Sequence, residues 1–145
     1  MDDESFLRQF EDCSWPYEQW RHRAHLKVAY LYLRKYPFDE ALRRVCAGIR
    51  AYNKSKNVLE GPTMGYHETM THAWVHLIHA TLLEYGPAET ADAFLDCHPH
   101  LGKKEILRTH YSPEVFASPR AKAEFVEPDL APFPPRRQAK GRGEL

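Results

Sequence analysis

Neither sign of charge dominates this chain: 20 lysines and arginines stand against 20 aspartates and glutamates in 145 residues. A balanced surface lacks the basic stripe that nucleic acid or an anionic membrane selects, so neither is expected as a partner. Long apolar runs are missing as well, and none approaches the roughly 18 residues of a membrane span. The opening MDDESFLRQF is acidic and carries no apolar signal region, so export is not expected. Cysteine is scarce: Cys13, Cys46 and Cys97 are odd in number and far apart, which argues against a disulfide framework. A reducing cytoplasm is the expected compartment. Gly61, Gly65 and Gly86 do not form a phosphate-binding loop. No stretch alternates like a half-buried strand, and no solenoid period repeats.

What the chain does have is helical periodicity and nine histidines, seven of them in the bands His67–His79 and His98–His110. Residues 4–12 predict a short amphipathic helix with Phe6, Leu7 and Phe10 on one side. Ser14-Trp15-Pro16 reads as a start signal, a hydroxyl before a proline in the first turn. The helix after it is expected to run to Tyr36 and stop at Pro37. On a wheel, Glu18, His22, His25, Ala29, Tyr32, Leu33 and Tyr36 share one face of it. Asp39 is expected to cap a third helix, residues 40–53, with Leu42, Val45, Ile49 and Tyr52 as its core stripe. Residues 53–65, with Gly61, Pro62 and Gly65, predict a long loop of the kind that covers sites.

A fourth helix is expected over residues 66–85, ended by Gly86-Pro87. Its apolar stripe holds Trp74, Ile78 and Leu82 around His67, with Glu68 and His79 at the edge and His72 and His76 toward solvent. Residues 88–97 predict a shorter helix, and Ser112-Pro113 and Ser118-Pro119 two further helical turns. Residues 128–145, rich in proline and arginine, predict a disordered or surface-wrapping tail. The expected fold is all-α: one domain over residues 1–127, with a four-helix-bundle-like core and short accessory helices.

The candidate chemistry sits on the second and fourth helices. Side chains three and four residues apart on a helix are neighbours, so Glu18, His22 and His25 would form a triangle. His67 and Glu68, facing them across a bundle, would complete a site. Imidazole suits zinc, iron, copper and nickel, and a carboxylate neutralises charge. The expected site therefore has His22, His25 and His67 as ligands of a divalent metal, iron or zinc. Glu18 or Glu68 would serve as further ligand or general base. The bland alternative is a metal-free network in which these histidines bond backbone carbonyls or tyrosines. Glu68, His72, His76 and His79 resemble a ligand ladder but fall partly on the solvent side. Cys97-His98-Pro99-His100 lacks a second cluster to close a tetrahedral set. Cys13 and Cys46 read as core thiols, and Trp20 as either a lid on another helix or a partner surface.

Trp20-x-His22-x-x-His25-Leu26 and Tyr66-His67-Glu68-Thr69-x-Thr71 together resemble a pattern of small, uncharacterised bacterial helical proteins. The resemblance spans roughly residues 10–117. It implies a shared helical fold and site and names no reaction. The leading expectation is a metal-dependent enzyme or metal-binding protein acting on a small molecule. Oxygen-dependent oxidation would follow for iron, and hydrolysis or lyase chemistry for zinc. The alternatives are a non-enzymatic protein-interaction module and a metal-free bundle that binds a small acidic or aromatic ligand.

Overall fold

The first helix, α1 (Asp3–Glu11), begins where Asp2 accepts a 2.8 Å hydrogen bond from the Ser5 amide, and it buries Phe6, Leu7 and Phe10. The structure is a computed structural model, and residues 1–135 are described. The long helices follow as α2 (His22–Lys35), α3 (Phe38–Ser55) and α4 (Glu68–Tyr85). α2 packs against α1, α3 and α4, and also against α5 (Ala91–Cys97). The protein is all-α. Among the described residues there is no strand, only an isolated bridge between Gly61 and Met64.

The core lies where α2, α3 and α4 meet. Val28, Tyr30, Val45, Tyr52, Val75 and Ile78 are all 2% exposed or less. Helix ends fall where proline and glycine put them. Tyr36 is extended ahead of Pro37, and Gly86 closes α4 at φ 82°, a conformation that suits a residue without Cβ. α3 starts at Phe38, ahead of the expected Asp39 cap.

The expected helix over residues 18–36 is broken. Tyr17–Gln19 forms a single 3-10 turn, Trp20 and Arg21 leave helical geometry, and α2 starts at His22. Trp20 accounts for the break. Its indole lies 4.5 Å from the Tyr52 ring and 5.5 Å from the Phe10 ring, and its Nε1 donates to Asn53 Oδ1 at 3.2 Å. Burying most of an indole is worth a few kcal/mol, more than the one or two helical hydrogen bonds given up at the kink. Trp20 thus covers α3.

The chain after α5 folds back over α4. Short 3-10 turns at Pro99–Gly102 and Lys104–Thr109 lead to α6 (Pro113–Phe116) and α7 (Pro119–Ala123). Ser112 and Ser118 cap α6 and α7 ahead of their prolines, as their sequence predicts. α7 packs on α4. Beyond it, Thr69 Oγ1 donates to Glu124 O and accepts from the Val126 amide, fastening the strap to the start of α4. Residues 128–135 continue along the surface: the Leu130 amide donates to His110 O, and His110 Nδ1 to Ala131 O at 2.8 Å. The rest of the expected tail, residues 136–145, lies outside the described residues.

Candidate functional site

The five residues expected to converge are separated into four places. Glu18 belongs to the 3-10 turn, is exposed, and is off the α2 helix. The Glu18–His22–His25 triangle needed an unbroken helix, and the Trp20 kink removes it.

His67 is turned to structural work. It stands one residue before α4 as its N-cap: Nδ1 accepts from the Met70 amide at 3.0 Å, and Nε2 donates to Phe116 O at 3.0 Å. Its ring stacks on Phe116, with centroids 4.7 Å apart. Both nitrogens are committed, so no lone pair remains for a metal. Burial holds the ring below its ordinary pKa, which keeps Nδ1 free to accept. His67 is not brought to the α2 histidines.

His22 and His25 do share a place, a cavity of about 250 Å³ between α2, α3 and α4. His22 Nε2 donates to Leu101 O at 3.0 Å, and His25 Nδ1 donates to Arg21 O at 2.8 Å. The His25 ring lies on Trp20, with centroids 3.9 Å apart, and protein surrounds most of it although part remains in view of solvent. Burial pushes its pKa down to about 4, and burial also lowers that of His22. Both rings are neutral near pH 7. Among the described residues, no carboxylate lines this cavity.

Glu68 instead centres a different group. As the first residue of α4 it accepts from the Tyr66 hydroxyl at 2.6 Å, from His72 Nε2 at 2.9 Å and from Arg50 at 3.3 Å. Burial opposes its charge, but the Tyr66 and His72 bonds outweigh that and hold the carboxyl below the usual glutamate range. Cys46, buried on α3, completes the group. One ligand atom each from Cys46, Glu68 and His72 lies within 4.8 Å of the others, the one such trio among the described residues. Burial pushes the Cys46 thiol up to about 11, partly offset by the Tyr66 hydroxyl.

His72 was expected toward solvent. Phe125 from the C-terminal strap covers it, rings stacked at 4.7 Å, and Phe133 stacks on His76 at 4.6 Å. A helical wheel separates faces, but it does not say which distant segment will cover the polar one. The missed members had a faint signal: Glu68 and His72, like Cys46 and Arg50, are spaced one turn apart.

The trio opens beside a cleft of about 920 Å³, where Glu68, Tyr66 and Arg50 form part of the wall. The loop expected over residues 53–65 supplies much of the rim, including Val58, Leu59 and Pro62. Glu60 holds it in place, accepting from the Tyr66 amide and from Lys122 at 3.0 Å. No family model, curated protein or solved structure matches this chain.

Proposed function

We propose that this chain is a metal-binding protein that holds one divalent transition-metal ion, zinc before iron, between Cys46, Glu68 and His72. In this reading the adjoining cleft receives a small-molecule substrate. The convergence of thiol, carboxylate and imidazole within 4.8 Å carries the reading. Ligand atoms around tetrahedral zinc lie about 3.3–3.7 Å apart, so the trio needs only small side-chain adjustments. A thiolate beside an imidazole favours zinc over magnesium or calcium. Three protein ligands leave a coordination position free, as catalytic zinc sites do. An ion there would acidify a bound water or polarise a carbonyl group.

The surrounding residues have definite work in this reading. Tyr66 and Arg50 hold Glu68 in place by donating to Oε1. Phe125 fixes the His72 ring plane. The thiol, raised by its burial, would have to release its proton to solvent to bind the ion as thiolate, so affinity falls as pH falls.

A second reading has its own observation. Glu68 already accepts three hydrogen bonds, so Tyr66, Glu68 and His72 form a closed acid–base network that works without metal. Cobalt titration of the metal-free protein separates the two. Metal binding predicts a thiolate-to-cobalt absorption band at one equivalent, absent in Cys46→Ser. Loss of the band from Cys46→Ser alone identifies the thiol as ligand, whereas no band in the native chain leaves the network reading.

A further inference from the structure

The cavity holding His22 and His25 shares no lining residue with the Cys46–Glu68–His72 trio. Its chemistry is internally consistent. Each ring gives its one proton to a backbone carbonyl, Leu101 O for His22 and Arg21 O for His25. A neutral imidazole then keeps one lone pair, on Nδ1 of His22 and Nε2 of His25. Neither nitrogen has a hydrogen-bond partner among the described residues, and neither is sealed from solvent. The one buried side-chain nitrogen or oxygen without a partner among the described residues is Trp74 Nε1. Two hydrogen-bond acceptors therefore stand one turn apart on α2, neither bonded to a donor among the described residues.

Most of the rest of the wall is apolar, with Arg21, Thr71 and Lys104 as its polar members. Ala29, Val45, Ile49 and Val75 close the aliphatic side, and Trp20 and Trp74 supply aromatic surface. Lys104 stands at the same cavity and contributes to keeping both imidazoles uncharged. A cation is disfavoured beside that ammonium. Water would satisfy the imidazoles but leave the aliphatic wall without partners. An anion would be drawn by Arg21 and Lys104 at the wall but would meet two lone pairs and the aliphatic side. The fitting occupant has a flat apolar body and at least one O–H or N–H to donate. An apolar cavity of roughly 150 Å³ accommodates benzene, so about 250 Å³ takes one ring with a substituent or two fused rings.

We propose that this cavity binds a small uncharged aromatic molecule bearing a hydroxyl or ring N–H donor, of the size of a phenol or an indole, with the donor bonded to His22 or His25.

The probes are phenol and indole, with toluene and benzoate as the comparison ligands. They are titrated into the full chain and followed by tryptophan fluorescence and by the ring NMR signals of the two histidines. Saturable binding of phenol or indole is expected, on the order of millimolar or tighter. Both imidazole signals should shift, and toluene should bind about tenfold more weakly because it offers no donor. Ala29→Leu, which fills the cavity from an aliphatic wall, should abolish binding without unfolding the chain. If that variant does not fold, the ligand comparison on the native chain decides alone. Toluene binding as tightly as phenol, benzoate binding more tightly than either, or no saturation by phenol or indole would each overturn the proposal. Metal removal should leave this binding unchanged, which separates its failure from failure of the metal site.

Discussion

His72 Nε2 lies 2.9 Å from Glu68 Oε2, one turn back along α4, and the flat face of Phe125 covers the imidazole. The pair therefore works inside the protein. α3 brings Cys46 to it, and the C-terminal strap shields it, so three segments distant in sequence meet at one carboxylate.

That carboxylate makes stability depend on pH in a definite direction. Burial alone would raise Glu68, but the Tyr66 and His72 bonds bring it below its ordinary 4.5. Its contribution is complete above about pH 4.5 and is lost as pH falls through the lowered folded value. In chelator-treated protein, Glu68→Gln should cost on the order of 1–3 kcal/mol at pH 7. The cost should shrink in thermal melts at pH 3. An equal cost at both pH values would mean that the charge is not what the network uses.

His25 adds to the same direction, through its neutral form. It titrates near 6.5 unfolded and about 4 folded, so between those values the unfolded chain binds more protons. Stability should fall from pH 6.5 toward 4 by on the order of 1 kcal/mol per unit from this ring. His22 and His67, also lowered by burial, add to the same slope. His25→Phe keeps a ring against Trp20 and should flatten the slope of melting temperature against pH in that window. An unchanged slope would show that His25 is hydrated enough to protonate in the fold.

His67 is a cap and a clasp, not a ligand. His67→Ala removes the acceptor for the Met70 amide and the donor to Phe116 O. A loss of about 1–2 kcal/mol, or roughly 3–8 °C in melting temperature, is expected. His67→Asn should recover part of it by capping Met70. Metal content should be the same in both variants. Loss of metal with an unchanged melting temperature would return His67 to the ligand set.

The helices were legible in the sequence because their boundaries are local events. Pro37, Gly86-Pro87, Ser112-Pro113 and Ser118-Pro119 act through their own backbones, and each sits where it was expected. The site was less legible because its arrangement is decided at a distance. Nothing in Gln19-Trp20-Arg21 forbids a helix. The break depends on rings at Phe10 and Tyr52, which only the folded chain brings to Trp20. His67 differs from a helical residue by one position, and that position turns an inward side chain into a cap. Glu68 was expected beside the α2 histidines, and its hydrogen-bond partners in the fold are Tyr66, His72 and Arg50 instead. Cys46 read as a core thiol because nothing near it in sequence gives it a nucleophile's setting, and it is indeed buried.

The metal content of native, tag-free protein tests the central proposal most directly. Elemental analysis should find about one zinc or iron per chain, and a folded Cys46→Ser/His72→Ala double variant should have lost it. Folded native protein without metal, taking up no added zinc and melting at the same temperature in its presence, would contradict the proposal.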